Sequence, residues 1–283
     1  MITGMPRIAI AVRDFEAAVS MFRDKLGLPV IDLSASSVES LGANLAMCVP
    51  EGGSNIELMC PANPDAPLSQ SLQRFLDRRG EGLFALMLEA PSPDDEGERL
   101  AKAGLNVLPL MAGAGGRDIH PRSTHGVLIR IYPTNSFKAQ RATGDETLAL
   151  SGIVRVLIAV RDLDDAMAVY GEKLGLALDP PVVNTTRGVK SVVCHPPSGG
   201  VIELVSVVDE QRPFAATIDA WLQQRGEGLF ALVMQTDEPA RAAAVLSGRG
   251  LTTTSKDGHP MEIAPTDTFG ARVWLQGNRR QSA

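Results

Sequence analysis

Four histidines and three cysteines are the only ready-made metal ligands or nucleophiles of their kind in this chain. His120 and His125 share the stretch IHPRSTHG, His195 sits in CHPPSGG and His259 in DGHPME, all turn-like settings. Without HxH or HExxH spacing they read as exposed or structural residues. Cys48, Cys60 and Cys194 are odd in number and lack a CxxC pair, which fits reduced, buried thiols better than a disulfide frame or a zinc site. The glycine-rich GAGGR at 113–117 has backbone N–H groups that suit a phosphate. It lies between strands and not before a helix, so it lacks the dinucleotide fingerprint and reads as a loop. RGEG, at Arg79 and again at Arg225, reads as a helix C-cap and turn, and Arg13 and Arg161 as solvated or capping residues.

Composition narrows the partners. The chain has 283 residues, a net charge of −6, 44% hydrophobic and 4% aromatic residues, and no dense basic run, which argues against a nucleic-acid surface. No stretch approaches the roughly 20 apolar residues of a membrane span, and MITGMPRIAIAVRD lacks the order of a signal peptide, so a cytoplasmic location with no membrane partner is expected. The length suits one or two cores of roughly 100 to 150 residues.

The elements that must position any site repeat. RIAIAVRDFEAAVSMFRDKLGLPV from Arg7 returns as RVLIAVRDLDDAMAVYGEKLGLAL from Arg155. NIELMCP around Glu57 returns as VIELVSV around Glu203, and RGEGLFAL recurs unchanged. Two tandem domains are therefore expected, 1–137 and 152–283, joined by a polar connector at 138–151. Within the first, residues 7–12 alternate as a strand, Asp14 caps an apolar pattern at helical spacing, and Gly27 stops it. Three short strands follow, near 30–33, 44–49 and 55–60. A second unit starts at 83–89, continues with a helix over 94–103 and ends in strands near Val107, Ile119 and 127–131. In the second half the units start at 156–160 and 229–235. The class is α+β, four βαβββ units with mixed sheets.

Together with IELMCPANPDAPLSQSLQRFLDRRGEGL and GAGGRDIHPRSTHGVLIRI, these units resemble the vicinal oxygen chelate superfamily of glyoxalases, bleomycin-resistance proteins and extradiol dioxygenases, most of all its methylmalonyl-CoA epimerase-like members. The resemblance implies two units curling their sheets into a cup around a divalent metal, with ligands from the first and last strands of each unit. At those positions this chain carries Arg7, Glu57, Phe84 with Ala85, and Arg130 in the first half. The second half carries Arg155, Glu203, Ala231 and Trp274. Guanidinium, methyl and indole groups do not ligate divalent cations, so no metal and no other cofactor is expected.

In both halves arginine stands at the first-strand position, where the resemblance implies a histidine ligand, while the last-strand glutamate it implies is present. An Arg7–Glu57 pair facing into the first cup can supply the charge of the missing metal, and Arg155–Glu203 repeats it. With Arg130 the first cup carries a surplus positive charge, suited to a small organic anion, a carboxylate or acyl thioester. Glu57, Arg7 and Arg130 are the catalytic candidates of a metal-independent isomerase or lyase, Glu57 as base. Arg155, Glu203, Trp274, Phe84, Asn44 and Lys190 are candidate substrate contacts, and the neutral second cup suits a flat aromatic ligand against Trp274. Neither epimerase nor dioxygenase activity is expected. The alternative is a ligand-sequestering protein without chemistry; a homodimer is an open assembly.

Overall fold

A computed structural model describes residues 1–35, 41–111, 113, 115–255 and 259–278. Ala114 of the GAGGR stretch and Asp257 and Gly258 of DGHPME lie outside these. Among the described residues the fold is mixed α+β, two sheets with six α-helices. The first sheet has seven strands: β1 (Gly4–Ala11), β2 (Val30–Asp32), β3 (Ala43–Cys48), β4 (Asn55–Pro61), β5 (Gly82–Ala90), β6 (Arg117–Ile119) and β7 (Leu128–Pro133). They lie in the order β2-β3-β4-β1-β5-β7-β6. β1 is parallel to β4 and antiparallel to β5, and β5 is parallel to β7. Two units thus join along β1 and β5.

The second sheet repeats the plan around β8 (Ile153–Ala159), β11 (Val189–His195), β12 (Val201–Val207), β13 (Gly228–Thr236), β15 (Met261–Ile263) and β16 (Val273–Gly277). Short strands β9 (Ala177–Leu178), β10 (Val182–Asn184) and β14 (Thr253–Thr254) complete it. In the second unit of the first half, the expected strand near Val107 shrinks to a single bridge to Ile119.

Local chemistry explains the first helix. Asp14 has extended backbone and accepts the N–H of Ala17 at 3.0 Å, so α1 (Phe15–Ser20) starts there. A π-helical stretch, Met21–Lys25, follows, and Gly27 at φ +67° ends it. The repeat, α4 (Leu163–Met167), is capped in the same way by Asp162. The other unit helices are α3 (Pro93–Lys102) and α6 (Pro239–Gly248).

Two further helices link the units within each half, α2 (Pro67–Arg79) and α5 (Pro213–Arg225), and the sequence reading recognised only their C-terminal glycines. Their signal is present: Leu68, Leu72 and Leu76, and in the repeat Phe214, Ile218 and Leu222, recur every fourth residue behind a proline at the first turn. These apolar stripes pack into the cups. Leu72 and Leu76 join Ala9, Ala11, Met59, Phe84 and Met87 in the first, and Phe214, Ile218 and Leu222 join Val205, Phe230 and Trp274 in the second.

The opposite sheet faces form one core shared by both halves. Ile8, Ile10, Leu86, Leu88 and Ile129 meet Val156, Ile158, Leu232, Met234 and Val273 there. The stretch between the sheets reads as a polar connector, yet Leu148 and Leu150 are buried in this core. Ser54 also stitches the halves, donating its N–H to the Ile153 carbonyl at 2.8 Å while its Oγ accepts from Gly200 at 3.0 Å. No helix among the described residues is long and apolar enough to cross a membrane.

Candidate functional site

Strand register decides which candidates meet. In the parallel β1–β4 pair, Arg7 lies opposite Asn55 and Ala9 opposite Glu57, so Arg7 and Glu57 are diagonal neighbours on the cup face. Arg7 Nε donates to Glu57 Oε2 at 2.9 Å, with the side chains 6% and 5% exposed. On β7, Arg130 lies opposite Met87 of β5 on one side and Asp118 of β6 on the other. Its Nη1 donates to both oxygens of Asp118 at 2.9 Å. Tyr132, two residues further along β7, stands between the arginines, its ring centroid 4.3 Å from Arg7 Cζ and 5.1 Å from Arg130 Cζ.

The first cup is therefore charge-balanced. Asp118 cancels the surplus positive charge expected from Arg7, Glu57 and Arg130, because the β6–β7 hairpin folds it directly across from Arg130. Burial pulls the Arg7 pKa down, but Glu57 and Tyr132 outweigh it and hold the guanidinium above its usual value. Burial lifts the Asp118 carboxyl above the usual range, a shift that Arg130 only partly offsets. The Tyr132 phenol is also raised, by burial first and by the Glu57 charge second. Arg7 Nη1 remains buried without a hydrogen-bond acceptor among the described residues. The cavity lined by Phe84, Met87, Leu128, Arg130 and Tyr132 holds only about 20 Å3, room for roughly one water.

Phe84 and Ala85 both reach the cup face, because a β-bulge breaks the alternation of β5 between Leu83 and Ala85. The same irregularity in β13 turns both Phe230 and Ala231 inward. At the positions where the resemblance implies metal ligands, the first cup thus presents Arg7, Glu57, Phe84 with Ala85, and Arg130. One carboxylate beside two guanidinium groups and a methyl does not fit a divalent cation. Among the described residues, no group of three or more His, Cys, Asp and Glu could hold a metal.

The second cup differs. Arg155 Nη1 reaches Glu203 Oε2 at 2.8 Å, but these side chains are 36% and 16% exposed. Trp274 is buried, with Phe214 and Phe230 rings each 5.7 Å away, so the space read as open to a flat ligand is filled by protein aromatics.

Two candidate contacts lie off the cups. Asn44 alternates with Leu45, whose side chain enters the first cup, and so takes the other face of β3. Lys190 likewise sits between cup-facing Val189 and its own outer face, where its Nζ is 3.3 Å from Asp164 of α4. The histidines serve as structure: His120 accepts the Arg122 N–H, His125 lies 3.1 Å from Glu227, and His195 lies 2.9 Å from Asp179. His259 packs against Phe214, ring centroids 5.3 Å apart. Sequence reasoning missed Asp118 and Tyr132. Pairing RDI with LIRIY as a hairpin would have exposed the first, and the i+2 spacing from Arg130 the second.

Comparison with known proteins agrees with this architecture. Residues 7–120 match the family described as Glyoxalase/Bleomycin resistance protein/Dioxygenase superfamily, and residues 156–275 match Glyoxalase-like domain. Over 132 residues the chain is 29% identical to mitochondrial methylmalonyl-CoA epimerase of Mus musculus, covering 44% of this chain and 69% of the relative. A triple mutant of 4-hydroxymandelate synthase from Streptomyces coelicolor shares the fold over 90% of this chain and 77% of its own, with a TM-score of 0.65 and 16% identity. Methylmalonyl-CoA epimerase from Mycobacterium tuberculosis covers 50% of this chain and 93% of its own, at 23% identity and a TM-score of 0.40. Two glyoxalase-type regions in tandem, each built on a sheet in which paired units join along their first strands, make this chain a member of the glyoxalase/bleomycin resistance/dioxygenase superfamily.

Proposed function

We propose that the first cup binds a small organic anion or acyl compound, a carboxylate or acyl thioester, without a metal. The observation that carries this reading is the buried Arg7 Nη1, a donor with no acceptor among the described residues, on a wall where the other buried charges are paired. An unmade hydrogen bond at a buried charged donor costs about 1 to 3 kcal/mol or more, and a ligand oxygen at this point removes that cost. Arg7 would then polarise a carbonyl or hold a carboxylate, with Tyr132 and Phe84 as walls. The cavity of about 20 Å3 is smaller than any such ligand, so entry displaces cup-lining side chains such as Met111 and Leu41 at its rim.

As an isomerase or lyase, the protein would use Glu57 to take a proton from the carbon beside that carbonyl, while Arg7 steadies the developing oxyanion. One observation favours the second reading, binding without turnover: both cup carboxylates are engaged by arginines, Glu57 by Arg7 and Asp118 by Arg130. Incubation with propionyl-CoA, methylmalonyl-CoA and free methylmalonate in deuterium oxide separates the readings. Deuterium entering the substrate at the α-carbon, and lost in Glu57→Gln, supports chemistry; saturable binding that leaves the compound unchanged supports sequestration. If none of the three binds, or if Arg7→Met binds them as well as the wild type, the anion-binding cup is wrong.

A further inference from the structure

One cavity lined by arginines and aromatic rings lies outside both cups. It is a cleft of about 400 Å3 where the two halves meet, within the usual range of about 300 to 1,000 Å3 for small-molecule sites. Its walls are repeat mates brought face to face. Phe75 of α2 packs edge-on against Phe84, centroids 5.2 Å apart, and their counterparts Trp221 and Phe230 do the same at 5.5 Å. Arg79 and Arg225, the arginines of the two RGEG turns, meet at the centre, with Arg225 Nη1 donating to the Arg79 carbonyl at 3.0 Å. The halves approach closely here: a Cβ at Gly126 would strike the Glu227 carbonyl, and one at Gly270 the Glu81 carbonyl.

The symmetry breaks in charge. Arg74 and Arg78 of α2 also line the cleft, whereas the matching positions of α5 are Ala220 and Gln224. Four arginines thus line this space, and no carboxylate does. None of the four forms an ion pair among the described residues. Glu81 accepts the Arg13 N–H, Glu227 the Arg161 N–H, and Asp77 the Gln73 amide. Like charges one helical turn apart repel by about 0.2 to 0.5 kcal/mol, and an anion held between Arg74 and Arg78 would remove that cost. Burial, and then the charge of Arg225, hold the Arg79 pKa below its ordinary value. The Trp221 indole N–H is buried without an acceptor among the described residues.

We propose that this cleft binds a planar aromatic ligand carrying phosphate groups, with the chemistry of a nucleoside diphosphate. The ring would lie against Trp221 and Phe75, and the phosphates would take the guanidinium groups of Arg74, Arg78, Arg79 and Arg225. Ser71, Phe84 and Leu128 line both this cleft and the first-cup cavity, yet Arg7 lines neither the cleft nor its mouth, so the two sites can fail separately.

Trp221 is the reporter. Fluorescence is titrated with ADP, adenosine and inorganic pyrophosphate, Trp221→Phe separates the Trp221 signal from that of Trp274, and the affinities are checked by calorimetry on the wild type. The expected result is saturable binding of one ADP per chain, at least about tenfold weaker binding of adenosine and pyrophosphate, and at least about tenfold weaker ADP binding in Arg74→Gln/Arg78→Gln. Both arginines are exposed, so that variant is expected to fold, and denaturation confirms it. Arg7→Met/Glu57→Leu, which removes both partners of the buried pair together, leaves ADP binding unchanged. Absence of saturable ADP binding, ADP binding indifferent to the double substitution, or pyrophosphate binding as tight as ADP would each overturn the proposal.

Discussion

Asp118 holds Arg130 through both carboxylate oxygens, each 2.9 Å from the same Nη1, inside a cup where the two side chains are 10% and 7% exposed. This contact turns a positively charged pocket into a neutral one. Removing one partner of a buried ion pair costs about 3 to 5 kcal/mol. Asp118→Ala should lower unfolding stability by that amount in urea titrations, and Asp118→Leu/Arg130→Met should recover most of it.

Arg7 and Glu57 give a parallel case. Arg7→Met alone leaves Glu57 buried and uncompensated and should also cost about 3 to 5 kcal/mol. Arg7→Met/Glu57→Leu should approach wild-type stability while losing any ligand of the first cup. A folded double variant that still binds wild-type ligands would show that the pair is only a plug.

The second cup should respond differently. Arg155→Met is expected to cost no more than about 1 kcal/mol, since its pair with Glu203 is partly in water. Trp274→Ala removes a buried indole wedged between Phe214 and Phe230 and should cost about 3 to 5 kcal/mol. Equal losses for the two substitutions would contradict this division.

Asp145 clips the halves together. Its carboxylate pairs with Arg249, whose Nη1 also donates to the Lys25 carbonyl at 2.9 Å, while the Asp145 N–H reaches the Gly27 carbonyl at 2.8 Å. Hydrogen bonds from Thr147 and Arg249 push the Asp145 pKa down to about 2. A carboxyl depressed in the folded state stabilises fully above its unfolded pKa near 4, and that contribution fades as pH falls towards 2. Asp145→Asn should therefore cost about 1 kcal/mol at pH 7, after allowance for solvent screening, and almost nothing near pH 2. Thermal melts of both proteins across this range test it.

The thiols should be silent. Burial pushes Cys48 and Cys60 up, and Cys194 up to about 12, so almost no thiolate exists at neutral pH. A thiol-specific reagent should titrate none quickly in the native protein and all three in guanidinium. A fast-reacting cysteine in the folded state would contradict the packing described.

What could be read from the sequence alone is what local pattern encodes. The duplication, the capped helices behind Asp14 and Asp162 and the order of elements along each unit follow from repeats, periodicity and turn residues, while the facing of Arg7 towards Glu57 is what the resemblance to the vicinal oxygen chelate superfamily implies. Asn44 and Lys190 were misplaced because a strand turns alternate residues to opposite faces, and choosing the face requires a register that no short segment contains. Asp118 against Arg130, the bulges that turn Phe84 and Phe230 inward, and the filling of the second cup by Phe214 and Trp274 depend on pairing across strands and helices far apart in the chain. The meeting of Arg79 with Arg225 is the clearest case. Each reads as a turn residue in its own repeat, and only docking of the two halves around a shared apolar core places two guanidinium groups, neither in an ion pair among the described residues, in one cleft.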